Sequence, residues 1–242
     1  MSEQPLVRRL AAESLGSAFL AAIVIGSGIA AQQLSPGNVG LELLENAAAT
    51  AAGLFAIILM FGGVSGAHFN PVVSLVDAAL GGLRWLEAAA YSLVQVAGCF
   101  LGAIVANAMF AKQIVSLSTR HRATGGHFLG EIIATVGLLL VIFALARTNR
   151  MATVPAAVGA YIGAAYFFAS STSFANPAIT VGRMFSNTFA GIAPSSAPQF
   201  VLAELLGGVL AVVAIRYLYP SKEASAIGVV VLPQTAPEEA SP

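Results

Sequence analysis

The sequence predicts an all-α membrane protein with six transmembrane helices and two short re-entrant half-helices, arranged as an inverted repeat. Hydrophobic residues make up 57% of the 242 residues and charged residues only 9%, whereas a soluble domain carries roughly 25% charged residues. Six apolar segments approach the ~20 residues that a transmembrane helix needs. Two Asn-Pro pairs, at Asn70 and Asn176, each begin a further apolar stretch that is too short to span a bilayer.

Composition also excludes several function classes. The 11 basic and 11 acidic residues cancel, so no overall basic field indicates a nucleic-acid partner. Cys99 is the single cysteine, which excludes an internal disulfide and a metal site of several cysteines. No group of histidine, cysteine and carboxylate residues and no cofactor-binding loop predicts an enzyme, so we expect no catalytic residue, metal or cofactor.

The six spans are predicted at residues 10–31, 46–63, 88–111, 128–146, 152–170 and 200–219. They divide the chain into an N-terminal segment 1–9, a first repeat 10–111, a connecting loop 112–127, a second repeat 128–219 and a tail 220–242. No clear cleavage site follows the first apolar run, so we interpret that run as a retained helix. The tail is rich in proline and glutamate, a composition typical of disorder.

Basic residues in the short loops set the predicted orientation. An even number of spans places both termini on one side, and a cytoplasmic N-terminus gives seven basic residues inside against four outside. The inside residues are Arg8, Arg9, Arg84, Arg147, Arg150, Arg216 and Lys222. The outside residues are Lys112, Arg120, Arg122 and Arg183. This orientation suits a plasma membrane or a bacterial inner membrane.

The two halves of the chain resemble each other. Aligning Asn70 with Asn176 also pairs Ser65 with Ser171, Pro71 with Pro177, Val73 with Ile179 and Ser74 with Thr180. Glu13 and Glu131 open the first span of each half, and Gln95 and Glu204 occupy equivalent places in the last span of each half. Each half has three spans, an odd number, so the second half is expected to cross the membrane in the opposite sense.

Each Asn-Pro pair predicts a helix N-terminus, because asparagine caps helices well and proline at the first position lacks an N–H that would have no partner. A single pair could be an ordinary loop dipeptide, but two pairs at equivalent repeat positions favour paired half-helices. Irregular backbone at membrane depth must be buried or face water. The two breaks therefore predict an aqueous path, in which Asn70 and Asn176 offer amide donors and the preceding loops offer carbonyl acceptors.

These motifs resemble the aquaporin, or major intrinsic protein, family. Ser65-Gly66-Ala67-His68-Phe69-Asn70-Pro71-Val72 and Ser173-Phe174-Ala175-Asn176-Pro177-Ala178 are similar to its paired Asn-Pro-Ala signatures. The first copy departs from the family by carrying Val72 in place of alanine. The resemblance covers about residues 10–219 and implies the aquaporin fold, a passive channel and a homotetramer with one pore in each subunit.

The resemblance also implies a narrow filter formed by four residues. Counted from the two Asn-Pro motifs, these residues are Thr50, Ala164, Ser173 and Ile179. None is aromatic and none is histidine, and Ile179 stands where family members carry arginine. The expected filter is wide and lacks arginine, which suits glycerol and other small polyols, urea, or the uncharged trihydroxides of arsenic and antimony, with water as a further permeant.

Arg183 follows Ile179 by one helical turn and is expected in the outer mouth of the path. It is either a displaced selectivity charge or a vestibule residue that is solvated or paired. Asp77 is its counterpart in the first half. The two mouths of the path therefore carry charges of opposite sign, negative at Asp77 and positive at Arg183.

Other polar residues within the apolar segments are interpreted as structural supports, although intramembrane carboxylates are functional by default. By resemblance, Glu13 and Glu131 hold the loops before the half-helices, with proton relay as the alternative. Gln95 and Glu204 are expected to anchor those loops, and His68 to brace the first of them. Gly98 and Gly102 have a spacing that fits packing across the repeat interface or between protomers.

Three rival functions remain open at this stage. A water-selective channel would have a tighter filter than the one expected here. An ion-coupled secondary transporter can also be built from inverted repeats with broken helices. A membrane protein that makes structural contacts without conducting is the third alternative.

Overall fold

The computed structural model describes residues 4–220, and within that range the regular elements are all helical. The six long helices are α1 (Leu6–Leu34), α2 (Val39–Ser65), α4 (Trp85–Met109), α5 (Gly125–Arg147), α6 (Val154–Phe168) and α8 (Ala197–Leu218). Two short helices, α3 (Pro71–Leu80) and α7 (Pro177–Arg183), interrupt the two halves. A single 3-10 turn, Met151–Thr153, precedes α6. The predicted tail lies outside the described residues except for Pro220.

The predicted number and order of spans are confirmed, because six helices are long and apolar enough to cross a membrane. Most of them begin earlier than hydropathy alone predicts. Helix α2 begins at Val39 because the Asn38 side chain accepts a hydrogen bond from the Leu41 N–H and caps the helix. Its first turns contain Glu42 and Glu45. Because these charged residues lower the local hydropathy, the start of the helix could not be predicted from hydropathy alone.

Helix packing repeats between the two halves. Helix α1 packs on α2 and α4, and α5 packs in the same way on α6 and α8. The short helices cross over, since α3 packs on α8 of the second half and α7 packs on α4 of the first. Helix α2 of the first half also packs directly on α6 of the second half. This exchange of short helices holds both Asn-Pro motifs inside one bundle.

Large apolar side chains also cover the outside of the bundle. Examples on four of the long helices are Phe19, Phe55, Leu93, Leu101, Leu202 and Val213, all classed as exposed. An apolar outer surface of this kind suits contact with lipid chains.

Gly98 and Gly102 pack within the first repeat. A Cβ atom on Gly98 would lie 2.2 Å from the Ser14 carbonyl oxygen, and one on Gly102 would lie 2.2 Å from the Ala18 carbonyl oxygen. Helix α4 therefore lies against the backbone of α1 at both positions. The glycine pair brings together two helices of the same half, so the expected contact across the repeats or between protomers is wrong for these two residues.

Candidate solute pore

The two short helices begin at the paired Asn-Pro motifs in the same way. Asn70 Oδ1 accepts a hydrogen bond from the Val72 N–H at 3.0 Å. Asn176 Oδ1 accepts from the N–H groups of Ala178 and Ile179 at 3.0 and 3.3 Å. Pro71 and Pro177 occupy the first helical position of each, so the otherwise unpaired N–H is absent there.

Each asparagine also binds the backbone immediately before the other. Asn70 Nδ2 donates to the Ala175 carbonyl oxygen at 2.7 Å, and Asn176 Nδ2 donates to the Phe69 carbonyl oxygen at 2.8 Å. An amide nitrogen carries two hydrogens, so each side chain keeps one N–H after this contact. Both N–H groups of each amide were expected to be available to a solute, but one N–H of each joins the two motifs.

The loops before the short helices have the same unusual backbone. Ala67 and Phe69 have φ of 51° and 48°, and the equivalent residues Ser173 and Ala175 have φ of 52° and 47°. This left-handed conformation is unfavourable for residues other than glycine and recurs at functional sites. The geometry leaves main-chain carbonyl oxygens in the region between the two motifs.

Two buried glutamates hold these loops in place. Glu13 accepts hydrogen bonds from the N–H groups of His68 and Phe69 at 3.0 and 2.7 Å. Glu131 accepts from the N–H groups of Phe174 and Ala175 at 2.9 and 2.7 Å. Both carboxylates are fully buried, and their four contacts fix the direction of the peptide groups that precede the motifs.

Gln95, in the last span of the first half, anchors the first loop through its amide. Its Nε2 donates to Glu13 Oε2 at 2.8 Å and to Ser74 Oγ at 3.1 Å. Ser74 Oγ also lies 3.0 Å from His68 Nδ1, and His68 Nε2 lies 3.7 Å from Asp77 Oδ2. The imidazole therefore bridges two residues of α3. Within residues 4–220, no group of three metal-ligating side chains is present.

Glu204 occupies the equivalent place in the second half and binds differently. Its Oε1 accepts from the Asn176 N–H at 3.1 Å and from Thr180 Oγ1 at 2.8 Å. Its Oε2 is buried and has no hydrogen-bond partner in residues 4–220. The charge of nearby Glu131 acts on this carboxyl group, so two buried carboxyls are neighbours in the second half, whereas the first half pairs a carboxyl with an amide.

Both motifs border one cavity, with about 70 Å³ of space open to a water-sized molecule. Most of its wall is apolar. Helix α6 contributes a stripe with a spacing of four residues, formed by Val154, Val158, Ile162 and Tyr166. The polar part of the wall includes Asn70, Asn176 and the loop residues His68 and Ser173. The cavity is therefore an amphipathic path.

One expected filter residue is misplaced. Thr50, Ser173 and Ile179 line the cavity, but Ala164 is exposed on the outside of α6. Successive helix residues are about 100° apart, so Ala164 lies about 160° around the helix from Tyr166. Tyr166 instead faces the cavity, and its hydroxyl lies 3.1 Å from Thr50 Oγ1. Phe174 also lines the cavity, so two aromatic side chains from α6 and the second loop border the path.

Arg183 lies in the cavity wall, and its side chain is paired with neighbouring groups of the protein. The side chain is 2% exposed, and its Cζ lies 3.5 Å from the centre of the Phe174 ring. Its Nε donates to the Ala190 carbonyl oxygen. The sequence showed that Arg183 follows Ile179 by one turn, but its inward direction depends on the contacts with Phe174 and Ala190.

Val72, the departure from the paired signature, is buried away from the cavity. A Cβ on Gly208 would lie 2.7 Å from a methyl carbon of Val72, so the larger side chain packs against a glycine of α8. Ala178, at the equivalent position, is fully buried. The valine therefore fills space between α3 and α8 and leaves the wall of the path unchanged.

Six apolar helices around an amphipathic path, with two short helices meeting inside it, define a multi-pass membrane channel for small neutral solutes. The chain belongs to the major intrinsic protein family, whose model, described as MIP, Major intrinsic protein, matches residues 1–175. Aquaglyceroporin AqpS of Rhizobium meliloti (strain 1021) is 44% identical over 241 residues, which cover 99% of this chain and 100% of that protein. Human Aquaporin-9 is 29% identical over 167 residues, covering 60% of this chain and 56% of the relative.

A solved structure supports the fold. The X-ray structure of the aquaglyceroporin from Plasmodium falciparum superposes with a TM-score of 0.69 at 22% sequence identity. The match covers 87% of this chain and 96% of that one. The expected fold class, six spans with two half-helices in an inverted repeat, is confirmed.

Proposed function

We propose that this protein is a passive channel for small uncharged solutes with several oxygen or nitrogen atoms. Glycerol and similar polyols, urea, the trihydroxides of arsenic and antimony, and water form the solute class. The observation that carries the proposal is the amphipathic cavity between Asn70 and Asn176. The similarity to an aquaglyceroporin over the full length of the chain supports the same class.

The cavity wall matches the two faces of a polyol. Hydrocarbon side chains such as Leu54, Ile142 and Val158 form most of the wall, and they suit the C–H groups of the solute. The remaining amide N–H groups of Asn70 and Asn176 can donate to its oxygens. Loop carbonyl oxygens can accept hydrogen bonds from the hydroxyl groups of the solute. These hydrogen bonds replace the ones that the solute loses to water on its polar side.

The meeting of two helix N-termini disfavours cations. A helix N-terminus carries about half a positive charge. At roughly 5 Å and an effective dielectric constant of about 20, each end opposes a monovalent cation by at most about 1.7 kcal/mol. Neutral solutes do not experience this barrier.

A water-selective channel is the second candidate, and one contact favours it. The 3.1 Å contact between Thr50 Oγ1 and the Tyr166 hydroxyl joins α2 and α6 in the wall of the cavity. If that contact persists during conduction, it narrows the path to water. Glycerol flux therefore distinguishes the two candidates.

Stopped-flow light scattering on proteoliposomes tests the proposal. Water, glycerol, urea and arsenic trihydroxide are applied in separate, equal osmotic gradients, with protein-free liposomes as the control. The proposal expects fast influx of glycerol and at least one other solute, a linear dependence on concentration and no effect of a proton gradient. Fast water flux without glycerol flux would support the water-selective channel, and saturation with dependence on a proton gradient would support an ion-coupled transporter.

We further propose a homotetramer in a plasma membrane or bacterial inner membrane, with both termini cytoplasmic. The apolar outer face of the bundle supports association in the bilayer. Native mass spectrometry in detergent tests the tetramer, since it gives the subunit number directly. Protease access to tags at the two ends, in sealed vesicles of known orientation, tests the position of the termini.

A further inference from the structure

We infer that Arg183 is the selectivity-determining cation of this pore, held by the Phe174 ring one helical turn beyond Ile179. This inference rests on the proposed function and names the residue that excludes cations while neutral solutes pass. The sequence-based filter contains no positive charge, because Ile179 occupies the expected arginine position. The structure supplies a charge from the next turn of α7.

The guanidinium of Arg183 is fixed in one orientation. Its Cζ lies 3.5 Å from the Phe174 ring centre, a distance typical of stacking on an aromatic face. In residues 4–220 the hydrogen bond of this side chain goes from Nε to the Ala190 carbonyl oxygen. Both Nη groups have no acceptor among the described residues, and their side chain is 2% exposed and lines the cavity.

A buried donor without a partner is costly unless a solute or water occupies the adjacent space. The two Nη groups therefore define a place where oxygen atoms of a solute are bound in the path. On the same cavity wall, Thr50 and Tyr166 present hydroxyl oxygens that can accept hydrogen bonds, and Phe174 presents an apolar ring. The solute that fits has oxygen acceptors on one side and hydrocarbon on the other.

A second arginine stabilises this arrangement from the connecting loop. The Arg122 Cζ lies 5.4 Å from the centre of the same Phe174 ring. Its Nε donates to the Gly191 carbonyl oxygen at 3.0 Å, and its backbone N–H donates to Ser196 Oγ at 3.0 Å. The loop is thereby attached to the segment that follows α7. Arg122 acts as a positioning residue for Phe174 and, through it, for Arg183.

The charge of this cluster is not neutralised within the described part of the chain. In residues 4–220 neither Arg122 nor Arg183 has a carboxylate oxygen within 4.0 Å. Burial, followed by the charge of nearby Arg120, lowers the pKa of Arg122 to about 10, which leaves it charged at neutral pH. A cation that approaches Arg183 is therefore repelled.

The test compares K⁺ and glycerol flux in proteoliposomes for wild type, Arg183→Leu and Arg183→Lys. Arg120→Leu is the matched control, because Arg120 is exposed, stacks on Phe189 and does not line the cavity. K⁺ influx is followed with an enclosed K⁺-sensitive dye, and glycerol influx by light scattering. Size-exclusion chromatography establishes that each variant is folded before reconstitution.

Loss of a unit charge at roughly 5 Å, with an effective dielectric constant near 20, raises K⁺ influx by up to about 270-fold in Arg183→Leu. Arg183→Lys keeps the charge but loses the planar donor fork. Its K⁺ influx is expected to stay near the wild-type value while its glycerol influx falls. Arg120→Leu is expected to match wild type in both assays.

Equal K⁺ leaks in the leucine and lysine variants would overturn the inference, since they would indicate a packing defect rather than a lost charge. A leucine variant that conducts glycerol without a K⁺ leak would overturn it as well. Failure of the proposed function has a different signature: wild type passes water but no glycerol. A K⁺ leak that appears only in Arg183→Leu would support the role of Arg183 even then.

Discussion

The side-chain amide of Asn70 donates a hydrogen bond to the main-chain oxygen of Ala175, at 2.7 Å. The reciprocal contact runs from Asn176 to the Phe69 oxygen at 2.8 Å. Each asparagine thus caps its own helix through Oδ1 and joins the opposite loop through Nδ2. The two halves of the repeat are connected by these bonds at the centre of the path, so the position of the motifs depends on both halves at once.

The variant Asn176→Ser distinguishes the capping of α7 from the hydrogen bond between Asn176 and the Phe69 oxygen. Serine caps helices about as well as asparagine, but its side chain is too short to reach the Phe69 oxygen. We expect the variant to lose about 1–3 kcal/mol of stability, because a buried carbonyl loses its donor. Asn176→Ala is expected to lose about 1 kcal/mol more, since the cap is removed as well. Thermal unfolding in detergent measures both; an Asn176→Ser variant as stable as wild type would show that the connection to Phe69 contributes nothing, and equal losses in the two variants would show that the cap contributes nothing.

Glu204→Gln is expected to stabilise the protein. Gln95 at the equivalent place donates to Glu13, whereas Glu204 has a buried oxygen without a partner beside Glu131. A glutamine amide can keep one acceptor and supply the missing donor. We expect a gain of about 1–2 kcal/mol, or a melting temperature higher by roughly 2–8 °C.

The reverse exchange, Gln95→Glu, is the matched control for Glu204→Gln. It places a second carboxyl beside Glu13 and removes the amide donor, so its melting temperature is expected to fall. Thermal unfolding of the two variants at the same pH compares them directly. Shifts of the same sign in both variants would contradict the account of this pair of sites.

Gly102→Ala tests the close contact of α4 with α1. The added Cβ would lie 2.2 Å from the Ala18 carbonyl oxygen, so the helices must separate. Overpacking of this kind typically costs about 1–3 kcal/mol. Gly63→Ala is the control, because its Cβ would meet nothing within 4 Å and alanine favours a helix by up to about 1 kcal/mol. Equal melting temperatures for the two variants would refute the predicted contact.

Tyr166→Leu is expected to change the solute range of the channel. Tyr166 lines the cavity and contacts Thr50 at 3.1 Å, so a smaller side chain widens the path there. Flux of a four-carbon polyol is expected to rise relative to glycerol, as measured by light scattering. Tyr161→Leu on the same helix is the control, since Tyr161 points toward Ala134 of α5, 3.1 Å away. An equal change in both variants would indicate a general loosening of α6.

Local physics allowed much of the architecture to be predicted from the sequence. An asparagine followed by proline favours a helix start, and two such pairs at equivalent repeat positions predicted both half-helices and the repeat offset. That offset also pairs Glu13 with Glu131, and these residues make equivalent contacts with their loops. Helix starts were less predictable, because capping by Asn38 and charged first turns are invisible to a hydropathy count.

The filter could not be predicted by counting residues. Ala164 was assigned on the assumption of a span without gaps, but a shift of two residues turns a helix by about 200°. The four-residue spacing from Val154 to Tyr166 was a signal in the sequence for the face that lines the cavity. The position of Arg183 had no such signal, since it is fixed by Phe174 in one loop and Ala190 in another.

Cysteine accessibility tests the central claim, that small neutral solutes cross this protein along the path between the two motifs. Cys99 is fully buried and lies 3.6 Å from the Ser17 carbonyl oxygen, so the wild type supplies an unreactive background. Ile179→Cys places a thiol on the cavity wall, and Ala164→Cys places one on the outside of α6. Glycerol flux is measured before and after treatment with the small neutral reagent methyl methanethiosulfonate. The account predicts that the reagent blocks Ile179→Cys and spares both Ala164→Cys and wild type. Block of Ala164→Cys with unchanged flux through modified Ile179→Cys would contradict it.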